Sequence, residues 1–561
     1  MKNIEFSPEK KDRKKVIRGT IQGLILIILL ILAVKEIFTF SKYSPYDFSY
    51  TYNNKDNGFI VISYFGVDRM GTNNLISTES LENQLASLRD NGYVTITQED
   101  ILDYYNEGKV LPDKALLLLF EDGRRDTAIF AQKIMEKYNF KATMLTYADK
   151  FSKNDPKFLV PKDLKELVDS SYWELGTNGY RLEYINVFDE DENYLGELNS
   201  VKFSELSNKI RRNYNHYLMD YIRDEYYLPK ENYNEMKERI DYDYKKLYEI
   251  YNKEMGKLPI LYTLMHSNTG QFGTNDKVSE INERWITKLF SINFNREGFS
   301  LNARDSSIYD LTRMQPQAYW STNHLLMRIW DDTKEKVNFI IGDEEKAKKF
   351  KKINGEVEFK ADTIILTSLS KKQGTIKLID SENYKNIKLS VELNGNIIGS
   401  QSIYLRASDD LKNGLRFEII NNNIEITETI NGKEELLYSK DLNNGIDTND
   451  IDINEQGNKD VNITLNENKL DVILDGEIIV EGLIVKNTEE GSIFLESAWG
   501  EYGYSQRNIA DDVYDGVFKK LKVTEINDVV LYDSSLKGAE LIKYNVKNYF
   551  EKVIDWFVTN L

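Results

Sequence analysis

The stretch LLLLFEDGRRD, residues 116 to 126, decides the fold. Its apolar run does not alternate, so it reads as a parallel strand covered on both faces rather than a half-exposed one. The run stops abruptly at Glu121 and Asp122. Adjacent acids at the end of a buried strand cost desolvation and mutual repulsion, which points to a site. Working outward, GFIVISYF (58–65) is an earlier strand candidate, and Leu81, Leu85 and Leu88 then share one helical face. After the acids, Ile129, Phe130, Ile134 and Met135 line the apolar side of a helix from about 127 to 138, and KATMLTY (141–147) returns to a strand. Strand, helix, strand at these lengths predicts a parallel α/β layer or barrel, with useful groups at the carboxyl ends of the strands. WELGTNGYR (173–181) adds a strand with a polar exit at Thr177 and Asn178. LPILYTLMHSNTGQFGTND (258–276) adds another, with His266 at its end.

With 561 residues the chain has room for two substantial cores. A net charge of -18, with basic residues concentrated only at the N-terminus, argues against nucleic acid as a partner. Cysteine is absent, which removes disulfides, thiolate metal sites and cysteine nucleophiles. Only His216, His266 and His324 are available for a metal centre built from imidazole.

The N-terminus reads as a basic tail over 1–15, a transmembrane signal anchor over 16–40 and a linker over 41–56. VIRGTIQGLILIILLILAV (16–34) nearly covers the hydrocarbon layer, and Ile37, Phe38 and Phe40 lengthen it. Lys10, Lys11, Arg13, Lys14, Lys15 and Arg18 precede it, so the N-terminus is expected in the cytoplasm and the remainder outside a single-pass cell-membrane protein. Residues 57–335 form the expected α/β unit, with a helical hairpin inserted at about 195–256, read as a lid, a partner surface or a solvated face. From 351 to 526, short period-two segments such as GLRFEII and NIEITETING, separated by Gly, Asn and Asp turns, predict a β-sandwich. Residues 535–561 end in an amphipathic helix with Ile542, Val546, Phe550, Val553 and Phe557 in one stripe, expected to pack on a domain or to dock on a membrane partner.

The order of ISYFG, SLENQLASLRDNGYVTIT, ALLLLFEDG, FKATML and ELGTNGY resembles the NodB-like polysaccharide deacetylases. The resemblance implies a distorted (β/α) barrel and metal-assisted removal of acetyl groups from a glycan. It sets Glu121 at the catalytic-base position, Asp122 at the metal-ligand aspartate, and Asn178 and Leu182 at the two ligand histidines, with Phe65 near a further family histidine. Leu182 has no donor atom and Asn178 only a neutral carbonyl, whereas zinc normally takes three protein ligands. The expectation is a pseudo-deacetylase with no cofactor; a divalent metal belongs only to the alternative of an active enzyme with a divergent site. Arg124, Arg125, Asn178, Tyr180 and His266 are candidate glycan contacts; the arginines alternatively pair the acids internally, and His266 alternatively serves structure. The second unit resembles the lectin-like or laminin-G-like jelly-roll class through GLRFEII and GSIFLESAWG, with Trp499, Tyr502 and Tyr504 as candidate glycan contacts. Asp511, Asp512 and Asp515 are read as acidic loop residues without a metal. Together these imply a protein that binds polysaccharide or assists its synthesis or modification with a membrane-bound envelope complex; a protein-interaction scaffold is the third reading.

Overall fold

The computed structural model describes residues 8–37, 41–47, 57–121, 123–152, 155–189, 191–206, 209–210, 215–264, 275–443, 445, 451, 455–500, 511–538, 541–546, 549–550 and 552–553. Seven strands lie side by side in chain order: β1 (Phe59–Tyr64), β2 (Ala115–Phe120), β3 (Ala142–Tyr147), β4 (Trp173–Gly179), β5 (Leu261–Thr263), β6 (Ile292–Glu297) and β7 (Leu311–Arg313). Each pairs in parallel with the next. Just past β7, Met314 bridges back to Ile62 in β1, with the Ser63 N–H donating to the Met314 carbonyl at 2.9 Å. The sheet therefore nearly closes into a barrel.

The unbroken apolar run of β2 has a direct cause. Leu117 and Leu119 join Val61, Leu145, Leu261 and Phe294 in one core. Leu116, Leu118 and Phe120 point the other way, into a core shared with Leu81, Leu85 and Leu88 of the helix Thr78–Asp90. Both faces are covered, so neither tolerates polar residues. The helix Arg125–Tyr138 buries Ala128, Ala131, Ile134 and Met135. Ile129 is instead exposed, because the buried face advances by three and four residues from Ala128 and leaves Ile129 on its flank.

The inserted region carries two helices, Ser200–Leu206 and Tyr233–Met255, together with a small sheet that the sequence pattern does not announce. Glu183–Phe188, Tyr194–Asn199 and Asn215–His216 form a three-stranded sheet, closed over a small core of Tyr184, Val187 and Leu198. One long helix, Tyr233–Met255, follows; Asn232 and Glu235 cap it reciprocally and Gly256 ends it in the left-handed conformation. The 41–47 stretch, expected as a free tether, is fastened down. The Tyr43 hydroxyl donates to the Thr95 carbonyl and Tyr46 to Asp100.

The second unit consists of a seven-stranded and an eight-stranded sheet, with antiparallel strand pairs between Phe350 and Asp533. Alternate residues such as Leu389, Val391 and Leu393 enter one shared core.

Two terminal expectations need correction. The helix Pro8–Ile37 exists, but no helix among the described residues is long and apolar enough to cross a membrane, so the transmembrane anchor is not supported. At the other end, Ile542, Val546 and Phe550 are exposed rather than packed on either unit; Phe557 lies outside the described residues.

Candidate functional site

Glu121 directly follows β2, and its N–H donates to the Tyr64 carbonyl at the end of β1. The side chain is fully buried. One oxygen, Oε1, accepts from Ser63 Oγ at 2.7 Å, Arg313 Nε at 2.9 Å and Gln315 Nε2 at 2.9 Å. The other, Oε2, is buried without a hydrogen-bond partner. Arg313, at the end of β7, is itself fully buried and also donates through Nη2 to Glu297, the last residue of β6, at 2.8 Å. Burial alone lowers the Arg313 pKa, but the carboxylates of Glu121 and Glu297 outweigh it and hold the guanidinium above its ordinary value. Ser63, Glu121, Glu297, Arg313 and Gln315 thus meet at the carboxyl-terminal mouth of the barrel, where strand order places usable side chains.

Arg313 is the residue that sequence reading missed. It comes from a three-residue strand 192 positions after Glu121, too short to carry a period. The single available signal is an arginine ending an apolar strand, the same pattern that singles out Glu121. The two arginines beside the acids do not provide the counter-charge. Arg124 pairs with Asp126 at 2.6 Å and Arg125 with Asp163 at 2.7 Å, which holds both side chains at the start of the following helix. Asp122 lies outside the described residues, as does His266.

Asn178 is buried near the end of β4, beside Thr177, whose hydroxyl donates to the Thr146 carbonyl at 2.8 Å. Leu182 does not line the mouth with it. It packs against the Tyr184, Val187 and Leu198 core of the inserted sheet. Among the described residues the cation donors at this mouth are few: Leu182 supplies none and packs away, Asn178 is neutral, and Glu121 Oε1 already accepts three bonds. Among the described residues no three His, Asp or Glu side chains converge on one point.

A second buried charge cluster joins the barrel to the sandwich. The helix Thr322–Thr333 carries His324, which sits between two sandwich carboxylates: Nδ1 is 3.1 Å from Asp515 Oδ2 and Nε2 is 3.0 Å from Asp511 Oδ2. Its ring stacks on Trp320 at 4.5 Å. Burial lowers the His324 pKa, but the two aspartates more than reverse this and raise it to about 9. Arg328 Nη1 donates to Asp511 Oδ1 at 2.8 Å. Asp511 Oδ2 also accepts from Trp320 Nε1 at 2.6 Å and the Tyr319 hydroxyl at 3.0 Å. Asp515 accepts from the Ser321 N–H at 2.9 Å and Thr367 Oγ1 at 2.6 Å. These acids, read from sequence as free loop residues, are the interdomain fastening. Of the aromatics proposed for the sandwich, Trp499 is half-buried, and Tyr502 and Tyr504 lie outside the described residues.

No family model matches the chain. A stretch of 89 residues is 32% identical to the poly-beta-1,6-N-acetyl-D-glucosamine N-deacetylase of Escherichia coli K12; it covers 15% of this chain and only 13% of that curated relative. Among solved structures, the chain is similar to a de-N-acetylase from Aggregatibacter actinomycetemcomitans at 17% identity and a TM-score of 0.37, covering 47% of this chain and 96% of that one. A carbohydrate-binding module from Bacillus subtilis is similar at 14% identity and a TM-score of 0.24, over 31% of this chain and 94% of the module.

Proposed function

We propose that this chain binds an N-acetylated polysaccharide at the barrel mouth and serves its modification without itself hydrolysing the acetyl group. The observation that carries this reading is the donor set. Leu182, at the second ligand-histidine position, is packed into a satellite core, and Glu121 Oε1 is engaged by Ser63, Arg313 and Gln315. What remains is polar and suits hydroxyl and amide groups of a sugar: the unpartnered Glu121 Oε2 accepts a hydrogen bond from an N–H or O–H. The similarity of one stretch to an N-deacetylase of poly-N-acetylglucosamine supports this substrate class. We place the work at the cell surface, on an envelope or extracellular polymer. The sandwich, with Trp499 half-exposed, is a second candidate carbohydrate-contacting module, and joining two weak sites on one chain raises avidity.

A specific observation favours a second reading, that of an active carbohydrate deacetylase. Glu121 Oε2 is a buried carboxylate oxygen that no protein group occupies, as a general base requires. The test uses the full chain with poly-N-acetylglucosamine and added divalent metals, measuring binding and acetate release together. Binding without acetate is the expected result. Acetate release that Asp122→Ala abolishes overturns the binding-only reading in favour of the enzyme.

A further inference from the structure

Tyr180 follows directly on the last residue of β4, and its carbonyl accepts a 2.8 Å bond from the Asp149 N–H just beyond β3. This anchors it over the carboxyl ends of those strands, on the side of the barrel where Glu121 ends β2. The inserted helix Tyr233–Met255 brings Tyr242 against it, with ring centroids 6.3 Å apart and planes at 77°. Tyr244 and Tyr251 of the same helix are buried, whereas Tyr242 is 48% exposed.

The base beneath the pair is stiff. Arg181 is held by Glu183 at 3.0 Å and Asp243 at 3.4 Å, and its guanidinium lies over Tyr217 at 4.5 Å and over Tyr180 at 5.5 Å. One turn further along the helix, Lys246 Nζ stands 5.8 Å from the Tyr242 ring centre. A lone exposed tyrosine needs no explanation. Here two rings from distant segments are set at a fixed angle on the rim of the candidate cleft, and the helix carrying Tyr242 belongs to an insertion.

We infer that Tyr180 and Tyr242 form a stacking platform for a distal ring of an extended N-acetylated hexosamine chain whose nearer unit lies at Glu121. This rests on the polysaccharide-binding reading given above and adds a length requirement to it. β2 and β4 are two strand spacings apart, about 10 Å, so a single sugar beside Glu121 does not reach the platform. The apolar C–H face of a pyranose packs on the negative face of an aromatic ring, and of the pair Tyr242 is the ring exposed enough to receive it.

The experiment titrates the full chain with N-acetylglucosamine oligomers of increasing length by calorimetry. Affinity of the unaltered chain is expected to rise with length. Tyr242→Ala should bind long oligomers about three- to tenfold more weakly while binding the monosaccharide unchanged, and Tyr242→Phe should keep the length dependence because the ring rather than the hydroxyl makes the contact. Equal binding by Tyr242→Ala at every length overturns the platform and leaves the functional reading standing. Failure of the unaltered chain to bind any oligomer overturns both.

Discussion

The two buried charge clusters are near mirror images with one telling difference. In the barrel mouth a carboxylate, Glu121, is held by a buried arginine; at the domain junction a cation, His324, is held by two buried carboxylates. Each oxygen of Asp511 and Asp515 at the junction has a donor. The mouth is incomplete: three donors crowd Glu121 Oε1 and none reaches Oε2. An unsatisfied buried acceptor costs about 1–3 kcal/mol, and Glu428 Oε2 in the sandwich is a second such carboxylate oxygen. The junction supplies a donor to every carboxylate oxygen of Asp511 and Asp515, whereas the mouth leaves one carboxylate oxygen without any. What separates the two clusters is the kind of atom left over: donor nitrogens, His324 Nε2 and Arg328 Nε, at the junction and a carboxylate oxygen, Glu121 Oε2, at the mouth.

The comparison breaks most visibly if the cation at the mouth is removed. Arg313→Met leaves Glu121 and Glu297 buried without their shared counter-charge, and a buried pair broken from one side costs about 3–5 kcal/mol. Urea unfolding of the variant should show that loss. Adding Glu121→Gln to Arg313→Met should recover part of it, because one of the stranded charges is gone. A loss below about 1 kcal/mol in the single variant would mean that water reaches the cluster and that it is not a buried one.

The junction should answer to pH instead. The folded-state pKa of His324 is raised to about 9 from an ordinary 6.5, so its contribution is complete below about 6.5 and disappears as pH rises through about 9. The shift corresponds to about 3 kcal/mol. Thermal unfolding followed from pH 6 to pH 10 should show this decline. His324→Gln should be less stable at neutral pH and should lack that part of the alkaline slope. An identical slope in the variant would assign the decline to other groups.

How far these clusters were legible in the sequence follows from the range of the contacts that build them. The β2 strand was readable because Leu116 to Phe120 carry their environment in their own composition. Glu121 was readable because it interrupts that run. Arg313 was not readable: it ends a strand of three residues and meets Glu121 from 192 positions away. His324 and Asp515 are separated by 191 positions, and nothing local in STNHLLM or DDVYD announces the other. The inserted sheet was hidden by a charged, tyrosine-rich sequence whose helical spacing is genuine in Ser200–Leu206 and Tyr233–Met255 but not between them among the described residues. At the N-terminus the opposite error arose: an apolar run was read as a membrane span, whereas no helix among the described residues is long and apolar enough to cross one.

The smallest effect sharpens the comparison furthest. Ser63→Ala and Tyr319→Phe each delete one neutral hydroxyl donor to a buried carboxylate, the first at 2.7 Å from Glu121 and the second at 3.0 Å from Asp511. In both cases other donors remain on the same oxygen, Arg313 and Gln315 in one and Trp320 in the other. Each variant should therefore lose only about 1 kcal/mol of stability. Their effects on glycan binding should differ. Ser63→Ala frees the Glu121 carboxylate to rotate about its remaining donors and redirects Oε2, so affinity for an N-acetylglucosamine oligomer should fall several-fold. Tyr319→Phe acts in a network whose acceptors are all occupied and should leave that affinity unchanged. Equal affinity in the two variants would break the distinction between a cluster with an open carboxylate oxygen and one without, whatever their stabilities.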